Sequence, residues 1–185
     1  MRIIILSGSS RTQSLTERCA LALANTLSQL PDVRANIIFL NQHNIPFVQD
    51  GWSQEGDMPE KLRPLWNTME TADAFILVSP EYNGSYSAAL KNFMDHFPKR
   101  IYSRKPMGIV TASPGSLGGI RAAVQMQQMI CAFFGIPCPL MLTIPFLEKK
   151  IDPKGDISDT DTLKQVSRFT EEILWMTSKL SSSSH

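Results

Sequence analysis

No sign of charge prevails in this chain of 185 residues, where 18 lysines and arginines stand against 17 aspartates and glutamates for a net charge of +1. That balance excludes the concentrated positive charge on which general nucleic-acid and membrane-surface binders rely. Cysteine is scarce too. Cys19, Cys131 and Cys138 form no Cys-x-x-Cys pair, which excludes a closed disulfide framework and a four-cysteine zinc site. They are expected as small buried apolar residues of a cytoplasmic protein. The histidines, His43, His96 and His185, have no cysteine or second histidine at ligand spacing, so no metal site is expected. The apolar run Ile3 to Leu6 is too short for a signal peptide. Residues 122–147 carry no charge and are long enough to cross a bilayer, but Gly135, Pro137, Pro139 and Pro145 interrupt them. A helix followed by a buried strand fits better, and no membrane span is expected.

With 43% hydrophobic and 19% charged residues, the chain is neither sparse nor charged enough to be disordered. Its length suits one domain, taken as residues 1–180, with 181–185 a frayed tail. Short β-rich runs alternate with helical patterns. Residues 2–7 (RIIILS) read as a central parallel strand covered on both faces. Ser14 opens a helix that Glu17 completes as a capping box, and Pro31 lies just beyond its end. Strands are expected at 35–40, 74–79, 107–112 and 136–144, and helices at 59–71, 87–97, 119–134 and 160–180. Pro64 falls inside the second helix and puts its start or straightness in question. The polar connection over 41–57 is long enough to serve as a lid or binding loop. Phe169, Ile173, Leu174 and Met176 are expected in the core, with Met126, Met129, Phe133 and Phe134 packed on the sheet. The order βαβαβαβαβα implies a parallel sheet with helices on both faces. Ligands in such folds bind beyond the C-terminal strand ends, which directs attention to three loops.

The first loop, residues 8–14 (GSSRTQS), joins a buried strand to a capped helix. Its small residues let backbone N–H groups approach an anion, the helix N-terminus adds partial positive charge, and Arg11 supplies a fork of donors. The chemistry suits a phosphate, although neither G-x-G-x-x-G nor a Gly-Lys-Ser/Thr turn is present. In the second, residues 80–85 (PEYNGS), Pro80 stops the strand and Asn83-Gly84 supplies a turn that exposes backbone amides beside Tyr82. The third, residues 113–119 (SPGSLGG), has three glycines and leads to Arg121. His96, near a helix end, is expected at the surface or in a structural role where an imidazolium suits the helix dipole. Asp95 beside it is no part of a triad, since no Gly-x-Ser-x-Gly elbow exists.

Together these stretches resemble the NADPH-dependent FMN reductase family of flavodoxin-like proteins, over roughly residues 2–145. Its first loop, Gly-Ser-x-Arg-x-x-Ser, is met by Gly8, Ser9, Arg11 and Ser14. Its Pro-Glu-Tyr-Asn and Leu-Lys-Asn are met by Pro80 to Asn83 and by Leu90, Lys91 and Asn92. Its Gly-Gly-x-Arg-Ala turn is met by Gly118, Gly119, Arg121 and Ala122. The resemblance implies a three-layer α/β sandwich, flavodoxin-like, with a five-stranded parallel sheet of order 2-1-3-4-5. It implies non-covalent FMN, with hydride passing from NADPH or NADH to a quinone, azo dye, metal oxyanion or free flavin in ping-pong fashion. Ser9, Arg11, Ser14, Leu15 and Thr16 would then surround the FMN phosphate. Pro80, Glu81, Tyr82, Asn83 and Gly84 would hold the isoalloxazine, and Ser113 and Gly115 would line its other side. Arg121 would meet a nicotinamide phosphate, and the chemistry, lying on the cofactor, needs no catalytic side chain.

The chain departs from the family at Ser87-Ala88, where Pro-Gly is usual, and at Phe93-Met94-Asp95-His96 against Ala-Ile-Asp-Trp. Both lie on the helix that family members use to pair subunits. A homodimer or homotetramer is expected, from the resemblance and from the apolar Phe93, Phe97, Ile101 and Tyr102. Two other classes share the fold. One is a flavodoxin-type electron carrier, generally strongly acidic and so disfavoured by the net charge; the other is a flavin-free binding module.

Overall fold

The structure, a computed structural model, describes residues 1–181; the remainder of the expected tail lies outside the described residues. In chain order the elements are β1 (Arg2–Ser7), α1 (Leu15–Ser28), β2 (Arg34–Phe39), α2 (Arg63–Glu70), β3 (Ala74–Pro80) and α3 (Ala88–His96). β4 (Pro106–Ala112), α4 (Ile120–Ala132), β5 (Ile136–Pro137), β6 (Leu142–Ile144) and α5 (Thr160–Ser181) complete them. Every strand pair is parallel, and the order is β2-β1-β3-β4-β5, with β6 also paired to β4. This is the flavodoxin-like order expected from the sequence.

Alternation along the strands separates the two cores. Ile4, Leu6, Phe75 and Leu77 face α2, α3 and α4 through Trp66, Met69, Phe93 and Met126. Ile3, Ile5, Ile76 and Val78 face α1 and α5 through Cys19, Leu23, Phe169 and Ile173. Because both faces are covered, β1, β3 and β4 read as unbroken apolar runs. Burial pushes the Cys19 thiol well up, as befits a packing residue. Leu174 is only half-buried.

Several expectations are corrected. The fifth strand is split, because Pro137 and Pro139 offer no N–H to the ladder. Between the paired segments, Gly108 and Ile109 of β4 stand against Cys138, Pro139, Leu140 and Met141, so the chain bows out. The second helix is shorter than expected: a 3-10 turn over Glu60–Leu62 precedes α2, and Pro64 sits harmlessly in its first turn. Cys131 is exposed, whereas Cys19 and Cys138 are buried. Phe134 is 61% exposed, because it takes the left-handed position that ends α4 at φ 60°. Gly135 is needed for another reason, since a Cβ there would lie 2.4 Å from the Met107 sulfur.

The long connection after β2 is fastened along α3. Asn92 accepts the Val48 N–H at 2.9 Å and donates to Pro46 O at 2.8 Å. His96 is 2% exposed rather than at the surface: its Nε2–H donates to Pro46 O, its ring stacks on Trp52 at 4.1 Å, and Nδ1 has no partner. Phe93, Phe97, Ile101 and Tyr102 are likewise core residues, so they offer no surface for pairing. Among the described residues no helix is long and apolar enough to cross a membrane.

Candidate functional site

The first loop leaves β1 against two neighbours. The Gly8 N–H donates to Val78 O at 2.8 Å, and a Cβ at Gly8 would lie 2.9 Å from that oxygen and 3.1 Å from the Leu90 Cβ. Only glycine fits this close approach. The buried Ser9 hydroxyl accepts the Arg11 N–H at 3.1 Å, a local turn that competes with helix. Gln13 takes φ 53°, a conformation costly for a side-chain-bearing residue. Ser14 then caps α1 by accepting the Glu17 N–H at 3.2 Å. The capping box stays half made, because the Glu17 carboxylate oxygen Oε2 is buried without a partner.

What this conformation leaves over is the informative part. Among the described residues, the N–H groups of Ser9, Thr12, Gln13 and Ser14 donate to nothing. Those of Leu15 and Thr16 open α1 and have no partner within the helix. All six residues line one cleft of about 510 Å³ at the C-terminal strand ends. Arg11 and Arg18 also line it, and the Arg11 guanidinium lies 5.0 Å over the Tyr82 ring. Unpaired N–H donors, a helix N-terminus and two cations around one cavity are the chemistry that suits a phosphate. The donor set fits that group of FMN.

The second loop supplies an adjoining wall. Tyr82 and Ser85 exchange main-chain bonds of 2.8 and 3.1 Å across Asn83 (φ 51°) and Gly84 (φ 84°), a type I′ turn. The Glu81 carboxylate turns away to α4, accepting from Arg121 Nη1 and from the Arg121 N–H, both at 3.1 Å. It thus caps α4 and occupies the arginine expected to meet a nicotinamide phosphate. In the third loop, Ser113 Oγ donates to Gly115 O at 3.0 Å, while Ser113 N–H donates to Ile144 O at 3.2 Å.

Of the residues expected at the site, the cleft brings together Ser9, Arg11, Ser14, Leu15 and Thr16 with Pro80, Glu81, Tyr82 and Ser113. Asn83, Gly84 and Gly115 fall outside its lining. Thr12, Gln13, Arg18, Ala112, Pro114 and Glu148 line it without having been named as site residues. Arg18 follows the cap residue by one helical turn and was within reach of a periodicity argument. Glu148 arrives after β6 with no local signal. A groove of similar volume is lined by α3 and α4 with Tyr86 and Lys99 beside them, and its Lys91 and Asp95 pair with each other. Among the described residues no group of three or more His, Cys, Asp or Glu side chains is placed to hold a metal ion.

Comparison with known proteins gives a consistent picture. The profile of the NADPH-dependent FMN reductase family matches residues 1–145. A 2-hydroxy-1,4-benzoquinone reductase of Burkholderia sp is 26% identical over 181 residues, spanning 93% of each chain. A quinone reductase of Escherichia coli K12 is 28% identical over 171 residues, spanning 88% of each. Among solved structures, the flavoenzyme NAD(P)H:(acceptor) oxidoreductase FerB of Paracoccus denitrificans superposes with a TM-score of 0.77 at 21% identity. That superposition covers 95% of this chain and 96% of the other, a likeness of fold.

Proposed function

The chain belongs to the NADPH-dependent FMN reductase family, and from that premise we propose that it takes reducing equivalents from NADPH or NADH and delivers them, through bound FMN, to a small acceptor of the quinone or azo class. The observation that carries this reading is the set of unpartnered N–H donors of the first loop, gathered with Arg11 and the α1 N-terminus in one cleft. Ser9, Arg11, Ser14, Leu15 and Thr16 hold the phosphate. The main chain of Pro80 to Gly84 flanks the ring, with Tyr82 on the wall and Ser113 and Gly115 opposite. Glu81 acts at one remove, fixing the second loop to α4 through Arg121.

When bound, the isoalloxazine supplies hydride acceptance and electron delivery. The chain's own task is to bind and orient, and no side-chain acid or base is needed. One cleft serves donor and acceptor in turn. Steady-state assays of FMN-loaded protein, with NADPH and NADH against quinones, azo dyes, metal oxyanions and free flavin, are expected to give parallel double-reciprocal lines for at least one acceptor. Intersecting lines with a ternary complex contradict the shared cleft. Flavin binding without nicotinamide oxidation places the protein among electron carriers instead.

A further inference from the structure

Ser87 caps α3, yet capping uses only half of its hydroxyl. Its Oγ accepts the Leu90 N–H at 3.1 Å, the capping bond. The hydroxyl hydrogen goes elsewhere: Ser87 Oγ donates to the carbonyl of Gly8, at the root of the first loop. The Ser87 N–H donates to Ser79 Oγ at 3.0 Å, and Ser79 Oγ donates to Pro80 O at 2.9 Å, at the root of the second loop. Ser87 is 2% exposed, so water does not compete for these bonds. One buried residue thus ties both loops to the start of α3.

The consequence runs through the Gly8–Ser9 peptide. Among the described residues no peptide bond is cis, and in a trans peptide the carbonyl and the following N–H point to opposite sides. With the Gly8 carbonyl held toward α3, the Ser9 N–H is aimed away from α3. Ser9 lines the cleft, and its N–H has no partner among the described residues. The Gly8 N–H, in the preceding peptide, donates to Val78 O, so Gly8 is held through both its main-chain polar groups.

We propose that Ser87 is a positioning residue for the phosphate cradle: its hydroxyl hydrogen, by holding the Gly8 carbonyl, presents the Ser9 N–H to the FMN phosphate. This rests on the reading of the first loop as the phosphate site. A helix cap needs only the acceptor half of the hydroxyl, whereas the donor half reaches the loop.

Two substitutions separate the hold on Gly8 from the stability of the helix start. Both Ser87→Ala and Ser87→Gly remove the whole hydroxyl, but glycine is nearly as good as serine at a helix N-cap and alanine is not, so only Ser87→Ala also weakens the start of α3. Each apo-protein is titrated with FMN and with riboflavin by quenching of flavin fluorescence, and its melting temperature is recorded. Both variants are expected to bind FMN about tenfold more weakly, the loss of one aligned donor to a charged group. Riboflavin affinity is expected to change less than about twofold, and only Ser87→Ala to melt distinctly lower. Equal losses for both flavins, or a loss in Ser87→Ala that Ser87→Gly does not share, make Ser87 a cap and overturn the proposal. So does unchanged FMN affinity in both variants. If wild-type protein shows no preference for FMN over riboflavin, the phosphate reading itself falls and takes this proposal with it; a wild-type preference left intact by both variants removes the role of Ser87 alone.

Discussion

No carboxylate among the described residues pairs with Arg11; its guanidinium rests over Tyr82, and Asn41 donates to its main-chain oxygen at 3.1 Å. A planar fork lying on an aromatic wall is held near the phosphate cradle without being spent on an ion pair. Arg11→Ala is therefore expected to weaken FMN binding about ten- to a hundredfold, the range of a charge-assisted contact. Riboflavin, with the ring and no phosphate, is expected to bind both proteins alike. Lysine at this position restores only part of the affinity, since a point charge does not reproduce the fork. Equal weakening of both flavins, read from parallel titrations, shows that Arg11 shapes the ring site or the fold. That Arg11 and Ser14 stand on the cleft was legible in the sequence, because a loop between a buried strand and a capped helix lies at a C-terminal strand end. The fate of Glu81 was not, because its partner Arg121 lies forty residues away on an element whose placement depends on the whole sheet.

Elements covered on both faces were the legible ones. β1, β3 and β4 announce themselves as continuous apolar runs, and the cap of α1 stands at Ser14 as expected. β5 and β6 were fused in the reading because an apolar stretch hides where prolines break its ladder. The left-handed turn at Phe134 carries no sequence signal, since a bulky residue rarely takes that position, and the adjacent Gly135 is required instead by the Met107 sulfur. At the start of α5, Asp159 accepts the Thr162 N–H at 2.8 Å and its hydroxyl at 2.6 Å. The Thr162 hydroxyl first and its N–H second hold the Asp159 carboxyl below the usual aspartate value. A lowered folded-state pKa contributes stability that is present above the unfolded pKa and is lost as pH falls through the folded one. Asp159→Ala is expected to melt lower than wild type at neutral pH, and the gap to narrow once pH drops below about 4. A gap that stays constant into acid would show that the carboxylate charge contributes nothing to the cap.

For the molecule as a whole, all three loops meet at the C-terminal edge of the sheet, where the strand order reverses between β1 and β3. The apolar residues first taken as a pairing surface are core, yet α4 keeps an exposed face that is uncharged beyond Arg121: Val124, Gln125, Gln128, Cys131 and Ala132. We propose that two or more copies associate, and light scattering is expected to return at least twice the 20.7 kDa of one chain. A particle of 20.7 kDa throughout the micromolar range rejects association. We propose that the unpaired N–H groups of the first loop bind the phosphate of FMN. The most direct test is titration of the wild-type apo-protein with FMN and riboflavin, with and without inorganic phosphate. FMN is expected to bind about a hundredfold more tightly than riboflavin, the worth of two charge-assisted contacts at the low end of their range, and phosphate is expected to compete with FMN alone. Equal affinities for the two flavins, or phosphate that displaces neither, would contradict the account.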